Sequence, residues 1–298
     1  MANLKQKIRK IVNPLPEDQK KQGFEPNLYI KSQRKLADFI IFILGLNGRG
    51  RFSNEFIQRL DPQVAVDLGG GKRLSFRTGH GRLVWRAGSL LQEEPMLIEW
   101  INTFNSDDVF YDVGANMGGF SLYAAQRGIK TYAIEPEINN LQLLFENIFL
   151  NELQELCNPI PIAMGDVTSK DVFYLKSISK GDALHSIGRK SYLLEDPDSV
   201  DFRLNTLVMR LDDLISTFNL TKPTKLKVDV DFNELKVVQG AIKTLESVQE
   251  VYIELDLKLE EHCQVIKIME NLGFDVEEKE DISRQFNAEI SNYIFIKK

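Results

Sequence analysis

Beyond residue 95, short apolar runs alternate with segments whose apolar residues recur at helical spacing. Runs such as "DVFYDVG" and "EVYIELD" have the length and the β-branched and aromatic content of buried strands. Between them, apolar residues recur every three or four positions, as on one face of a helix. Strands are predicted over 108–114, 130–136, 158–166, 225–231, 250–256, 273–278 and 292–298, and helices over 94–104, 118–128, 139–153, 211–218, 235–245 and 259–272.

This order of elements predicts an α/β fold. Strands separated by single helices imply parallel crossovers, and therefore a doubly wound, mostly parallel sheet. The last two strands have only a loop between them, so we expect them to pair antiparallel. A polar stretch over 168–224 interrupts the alternation and contains one predicted element, the short helix over 211–218.

The pattern before residue 95 is weaker and predicts an N-terminal accessory region. A helix is predicted over 36–44, followed by a Gly/Arg-rich turn over 46–52. The segment 72–88 is predicted to form a β-hairpin around Gly79–Gly81. The chain is therefore divided into an accessory region, 1–94, and an α/β domain, 95–298.

Composition and charge restrict the class of protein. The chain has 298 residues, 43% of them hydrophobic and 27% charged, which is typical of a globular protein. The net charge of −6 disfavours nucleic acid as a partner. The two cysteines are far apart in sequence, and the basic start is not followed by an apolar stretch, so we expect a reduced, cytoplasmic chain without a signal peptide. The most apolar run, Leu36–Leu46, is too short to span a bilayer, so no integral membrane segment is expected.

A glycine-rich turn, "YDVGANMGGFS", follows the first strand of the domain. In a dinucleotide fingerprint the second glycine admits a diphosphate, but Asn116 occupies that place here. Asp112 before the turn suits an ammonium or a sulfonium better than a phosphate. Glu135 follows Gly114 by twenty-one positions, where a carboxylate can bind both ribose hydroxyls. The turn, with Gly118, therefore predicts S-adenosylmethionine as the cofactor, and an NAD-dependent oxidoreductase is the weaker alternative.

Several blocks, in order and spacing, resemble the motifs of FkbM-type methyltransferases: "DVFYDVGANMGGFSLYAA", "YAIEPE", "LDDLI" and "LKVDVDFNELKVVQGA". The resemblance covers roughly residues 93–298. It implies a seven-stranded sheet of class I methyltransferase type and methyl transfer from S-adenosylmethionine, usually to a hydroxyl oxygen. The sequence departs from the family's usual D-V-E-G-F-E, because Asp231 replaces the glutamate and Phe232 replaces the glycine. A non-catalytic binding module that keeps the fold is therefore a second alternative.

Acidic residues at strand ends are the candidates for chemistry. Asp229 and Asp231 end the fourth strand and Glu254 ends the fifth, so all three are expected beside the acceptor. Asp229 is the first choice for the residue nearest the methyl group, as a base or as an orienting group. Asp231 and Glu234 could instead cap the following helix. The three strand-end acids could gather a divalent cation, but nothing in the sequence fixes such a geometry and no metal site is predicted.

Two further candidates lie around the polar stretch. His185 is expected to contact the acceptor or act as a second base, although a loop histidine is often only a surface residue. Asp166 is expected near the adenine, with Ala163 and Met164 against the ring, but it could equally be a turn former. The predicted acceptor is a hydroxyl of a sugar, glycan or small polar metabolite, and residues 177–190 are predicted to close over it as a lid.

Overall fold

The structure is a computed structural model that describes residues 61–79, 81–188, 202–282 and 290–298. The predicted helix over 36–44, the turn over 46–52 and His80 lie outside these residues. Pro62–Lys298 forms a compact unit of its own. Within the described ranges, no helix is long and apolar enough to cross a membrane.

The described elements follow one another in the order strand, helix, strand over most of the chain. The strands are β1 Gln63–Gly69, β2 Lys72–Arg77, β3 Val109–Val113, β4 Lys130–Ile134, β5 Cys157–Ile160, β6 Ala163–Met164, β7 Ser169–Leu175, β8 Ser186–Ile187, β9 Phe202–Met209, β10 Lys225–Val228, β11 Glu250–Asp256, β12 Phe274–Asp281 and β13 Ile290–Lys297. The helices are α1 Gly81–Glu93, α2 Pro95–Asn102, α3 Gly119–Gln126, α4 Ile138–Leu150, α5 Leu211–Phe218, α6 Glu234–Gln239, α7 Ile242–Leu245 and α8 Glu260–Asn271.

The central sheet has seven strands in the order β12-β13-β11-β10-β3-β4-β5. Strand β13 runs antiparallel to both of its neighbours, whereas β11, β10, β3, β4 and β5 are mutually parallel. This is the predicted doubly wound, mostly parallel sheet of class I methyltransferase type, and the antiparallel pairing of the last two strands is confirmed. The order reverses between β3 and β10, so the carboxyl ends of these strands open a crevice.

Each face of the sheet is covered by helices, and the side chains of β3 alternate between the two cores. Phe110 belongs to the cluster that includes Leu122 and Leu144. Tyr111 and Val113, which is two residues further along the strand, belong to the cluster on the other face of the sheet. This period of two follows from the pleat of a strand that is buried on both faces.

The prediction of a hairpin around Gly79–Gly81 is wrong. The hairpin pairs β1 with β2, and its turn is the glycine run at 69–71, in which every φ is positive. Glycine adopts such angles without a side-chain clash, so the run determines where the chain turns. Residues 81–93 form α1 instead, and this helix buries Leu83, Ala87 and Leu90 at helical spacing. These side chains join the same core cluster as α3 and α4. The division after residue 94 stays a prediction.

Three other expectations need correction. The predicted third strand ends at Ile160, because Pro161 has no N–H to continue the ladder. The following β6 belongs to a separate four-stranded sheet, β6-β9-β7-β8, which occupies most of the described part of the polar stretch. The predicted helix over 235–245 is two short helices, α6 and α7. The helix is interrupted at Gly240, which packs so closely against the backbone that a Cβ would lie 1.9 Å from the carbonyl oxygen of Gly165.

Candidate functional site

A cavity of about 470 Å³ opens at the carboxyl ends of β3, β4, β10 and β11, and α1 and the small sheet complete its wall. Its size is in the range of sites that bind small molecules and cofactors. Six of the predicted site residues line it: Gly114, Asn116, Glu135, His185, Asp229 and Asp231. Three others, although described, are not part of the wall: Asp112, Gly118 and Asp166.

The glycines of the turn are required by close packing within the protein. Gly114 has a φ of 89°, and a Cβ there would lie 1.8 Å from the carbonyl oxygen of Asp229. Gly118 has the same φ, and its Cβ would lie 2.4 Å from Leu122 and 2.5 Å from Leu144. The turn therefore sits directly on β10 and on α4, which fixes its backbone at the edge of the cavity.

Asn116 and Glu135 form the side of the cavity nearest β4. The backbone N–H of Asn116 donates to Oε2 of Glu135 over 2.7 Å, and the N–H of Glu137 donates to Oε1 over 2.8 Å. Burial raises the pKa of Glu135 to about 7, although these two N–H groups oppose the shift. Nδ2 of Asn116 donates to the carbonyl oxygen of Asp182, and the contact of Asn116 with the cofactor stays a prediction.

Asp112 lies beneath the turn, and only 1% of its surface is exposed. Its Oδ2 accepts a hydrogen bond of 2.5 Å from Ser121, and its Oδ1 lies 3.2 Å from Nζ of Lys227. Burial alone would lower the pKa of Lys227, but Asp112 and Asp229 outweigh burial and raise it, so the ammonium stays charged. Sequence reasoning missed Lys227, since a lysine inside a strand gives no signal of the partners it will meet.

Asp229 and Asp231 lie side by side beyond β10. Oδ2 of Asp229 accepts a hydrogen bond of 3.0 Å from Lys227, and Oδ2 of Asp231 accepts one of 2.8 Å from the N–H of Leu184. Burial raises the pKa of Asp231 to about 8, and the negative charge of Asp229 adds to the shift. A carboxyl with such a pKa exchanges its proton near neutral pH.

Phe232 occupies the position at which the family's motif has glycine. Its φ is 76°, a region that glycine adopts freely and aromatic residues rarely occupy. The side chain is 8% exposed and forms part of the cavity wall. The backbone conformation typical of glycine is thus kept, and the ring fills space that glycine would leave open.

His185 has one nitrogen engaged and one unpaired. Its Nδ1 accepts a hydrogen bond of 3.1 Å from the N–H of Lys176, so the proton of the neutral ring is assigned to Nε2. Burial lowers the pKa of His185, which keeps the ring neutral at pH 7. The residue is 7% exposed, and Nε2 is buried with no hydrogen-bond partner within the described residues. The ring therefore offers the cavity a donor.

Six acids in the cavity wall come from outside the predicted set, and burial raises the pKa of two of them, Glu94 and Glu254. Glu94, just before α2, accepts a hydrogen bond of 3.0 Å from the hydroxyl of Tyr252, and burial raises its pKa to about 7. Glu254, weighed earlier as a strand-end acid, has its pKa raised well above the usual value by burial and by Asp229. The Glu-Pro start of a helix was the only signal in the sequence for Glu94.

His262, which the sequence does not single out as a site residue, lies in the cavity wall. Its Nδ1 accepts a hydrogen bond of 2.7 Å from the N–H of Asp256, and its Nε2 is 2.9 Å from Oε2 of Glu234. Glu234 thereby connects the start of α6 to α8, beyond the capping role weighed for it.

Near β6, Ala163 and Met164 line the cavity, whereas Asp166 follows them outside the wall, and their contact with an adenine stays a prediction. No group of three or more His, Cys, Asp or Glu side chains is arranged to hold a metal ion in the described part of the chain.

Comparison with known proteins gives one family. The model of the methyltransferase FkbM domain matches residues 112–276. The hexuronic acid methyltransferase AglP of Haloferax volcanii is 25% identical over 173 residues, covering 58% of this chain and 66% of the relative. The 31-O-demethyl-FK506 methyltransferase FkbM of Streptomyces tacrolimicus is 26% identical over 153 residues, covering 45% of this chain and 59% of the relative. The chain therefore spans less than two thirds of each of these curated relatives.

Among solved structures, a methyltransferase FkbM from Methylobacillus flagellatus KT matches with a TM-score of 0.44 and 16% identity. The match covers 64% of this chain and 44% of that one.

Proposed function

Because the chain belongs to the family of FkbM methyltransferase domains, we propose that it transfers a methyl group from S-adenosylmethionine to a hydroxyl oxygen of a sugar, glycan or small polar metabolite. One observation carries the proposal: the buried carboxylate of Glu135 lines the cavity beside the Gly114 turn, at the ends of adjacent parallel strands. This is where a ribose diol lies when a nucleoside cofactor binds an α/β sheet of this type.

The residues of the cavity fit S-adenosylmethionine. Each oxygen of Glu135 accepts one backbone N–H and keeps a lone pair, so the carboxylate can accept both ribose hydroxyls. Ala163 and Met164 offer an apolar wall to the adenine. Glu94 and Glu254 line the same cavity. Their raised pKa values would fall again beside an ammonium and a sulfonium, because a nearby positive charge favours the ionised carboxylates. When bound, the cofactor supplies a methyl group on a positively charged sulfur.

A dinucleotide fits the same cavity poorly. Its wall carries nine acidic side chains: Glu93, Glu94, Glu135, Asp182, Asp229, Asp231, Glu234, Glu254 and Asp256. Burial raises the pKa of Glu94, Glu135, Asp231 and Glu254, so some of these groups are protonated at neutral pH, but a diphosphate would still meet the negative charge of those that are ionised. The turn also brings the Asn116 side chain to the position where a dinucleotide fingerprint has a bare backbone.

Asp231 is our choice for the general base. Its pKa of about 8 is closer to neutral pH than an ordinary carboxyl, so it can take a proton from an acceptor hydroxyl while the O–CH₃ bond forms. Asp229 is held by Lys227 and is better suited to orient the acceptor or the cofactor's amine. His185 can donate from Nε2 but cannot accept there, so it is proposed as a binding group.

The acceptor class is supported by two observations. The hexuronic acid methyltransferase relative is named for a sugar acid, a molecule with several hydroxyls. The wall of this cavity includes many polar side chains that can bond to such hydroxyls. A binding module without turnover is the second candidate, and it rests on Phe232, whose ring narrows the cavity where the family has glycine.

The test uses S-adenosylmethionine with a trideuterated methyl group and a panel of sugars, glycosides and hydroxylated metabolites. Mass spectrometry and NMR of the products identify the methylated atom. We expect a labelled methyl on oxygen, at a rate that Asp231→Asn reduces and the exposed control Asp107→Asn does not. Label on nitrogen would refute the acceptor class. Cofactor binding without transfer to any acceptor would favour the binding module.

A further inference from the structure

Four cationic side chains line the cavity within the described residues: Arg82, Arg86, Lys176 and Lys227. Two of these charges are paired with carboxylates of the protein. Arg82 forms an ion pair with Asp182, and Lys227 lies between Asp112 and Asp229. Neither Arg86 nor Lys176 has an ion pair within 4.0 Å in the described ranges. A cavity that is acidic elsewhere thus keeps two positive charges available.

Arg86 has a buried donor in the cavity wall that no described residue satisfies. It lies on α1, one turn after Arg82, and its Cδ would be 3.8 Å from a Cβ on Gly181. Its Nε is buried and has no hydrogen-bond partner among the described residues. A buried donor without an acceptor is unfavourable, so such groups in native proteins usually await a ligand or a water molecule.

The other two donors, on Lys176 and His185, are close in sequence to Gly181, beside which the Arg86 side chain lies. The N–H of Leu184 bonds to Asp231, and the charge of Arg86 acts on this same carboxyl. His185 follows directly, with its unpaired Nε2, and its Nδ1 is bonded to the backbone of Lys176. Arg86, His185 and Lys176 are therefore three donors in the wall of the same cavity. The Asp231 carboxyl lies in this wall too, but its Oδ2 already accepts from Leu184.

This set of donors matches a carboxylate. A guanidinium presents parallel N–H groups whose spacing fits the two oxygens of a carboxylate, and a neutral imidazole N–H can add a third bond. A dianionic phosphate fits less well, because Asp231 and Glu234 lie in the same wall and only one guanidinium is free of an ion pair.

We propose that Arg86, together with Nε2 of His185 and Nζ of Lys176, forms a carboxylate-binding subsite that selects an acceptor bearing a carboxylate, such as a hexuronic acid. This inference rests on the proposed function and names the substrate class of the same cavity. Arg86 is the specificity-determining residue, because its planar guanidinium fixes the orientation of the carboxylate. Lys176 adds positive charge but does not fix that orientation.

The experiment compares three matched acceptors: a hexuronic acid glycoside, the corresponding neutral hexose glycoside and the hexose 6-phosphate. For the parent protein we expect kcat/KM to be at least 10-fold higher for the uronic acid than for the other two, the scale of a hydrogen-bonded charge. Arg86→Gln should reduce this ratio at least 10-fold. The ratio is the readout because loss of the Arg86 charge also raises the pKa of Asp231 and so changes turnover of all three acceptors together. Arg86→Lys should restore part of the preference, and the distant Arg127→Gln should leave it unchanged.

Binding measurements separate this inference from the proposed function. With S-adenosylhomocysteine present, calorimetry with the uronic acid and the neutral glycoside needs no turnover. Tighter binding of the uronic acid by the parent but not by Arg86→Gln would uphold the subsite even if no methyl were transferred. Equal binding of both sugars, or a preference for the phosphate, would overturn it. So would a loss of S-adenosylmethionine affinity in Arg86→Gln with an unchanged uronic acid ratio, because Arg86 would then bind the cofactor's own carboxylate.

Discussion

Nζ of Lys227 lies 3.0 Å from Oδ2 of Asp229, at the point where β10 ends and the cavity begins. The same ammonium is 3.2 Å from Asp112 on the neighbouring strand β3. Asp112 in turn bonds to Ser121 in α3. A single buried charge thereby connects the glycine-rich turn, where we propose the cofactor binds, to a carboxylate at the proposed acceptor site.

Replacing Lys227 by Met should lower the free energy of unfolding by about 3–5 kcal/mol, because it leaves the Asp112 carboxylate buried without its counterion. Urea unfolding followed by circular dichroism measures this change. Lys298→Met is the control: it breaks an exposed ion pair with Asp275 and should cost less than about 1 kcal/mol. A loss that is equally small for Lys227→Met would mean that the buried pair stabilises little.

The pH dependence of turnover should report Asp231. Its carboxyl must be ionised to take a proton, so kcat/KM should rise with pH with an apparent pKa of about 8. Asp231→Asn should lower turnover by roughly 10²–10⁴-fold and remove this rise. If Asp229→Asn flattens the profile and Asp231→Asn does not, then Asp229 is the base, as the sequence suggested.

Stability should depend on pH in the opposite direction. The raised pKa of Asp231, about 8 in the fold against an ordinary 3.8, means that the folded protein binds the proton more tightly. The contribution is fully present below pH 3.8 and is lost as pH rises through about 8, at up to about 1.4 kcal/mol per pH unit. Urea unfolding at pH 6 and pH 8 should therefore show a smaller decrease for Asp231→Asn than for the parent. If the free energy of unfolding decreased equally in the parent and in Asp231→Asn, Asp231 would be excluded as the cause of the pH dependence.

The segment over the cavity should be loosened by a single change in α4. Asn140 donates to the carbonyl oxygen of Asp182 over 3.1 Å and accepts from the N–H of Gly181 over 2.7 Å. Asn140→Ala removes both bonds, so the Gly181 amide should exchange hydrogen faster and turnover should fall more than cofactor affinity. Hydrogen exchange with mass spectrometry measures the first effect, with Asn139→Ala as the control. Unchanged protection of 177–188 would refute the anchoring role.

Deleting 177–190, the test that the sequence alone suggests for a lid, would also remove β8 and the bonds that Asn116 and Asn140 make to Asp182. Asn140→Ala is therefore the more specific experiment, because it removes only the bonds of one side chain to this segment.

The central sheet could be predicted because local hydrophobic patterns indicate its strands and helices. The position of Glu135 at the cavity could be predicted because it directly follows a strand. The small sheet could not, because its core is formed by residues distant in sequence, Phe173 and Val208 among them, in a polar stretch. The bond from the Asn116 amide to Asp182, 66 positions away, could not be predicted either, and the contact of Asn116 with the cofactor stays a prediction. Likewise, the partners of Lys227 depend on how strands pair, which no local pattern encodes.

The most direct test of the account is calorimetry of the full chain with S-adenosylmethionine and, separately, with NAD. We predict one-to-one binding of S-adenosylmethionine and none of NAD. We further predict that Glu135→Ala weakens the former by roughly 1.5–3 kcal/mol, the scale of hydrogen bonds to a charged group, whereas the exposed control Glu155→Ala leaves it unchanged. Binding of NAD, or parental affinity for S-adenosylmethionine in a folded Glu135→Ala variant, would contradict the account.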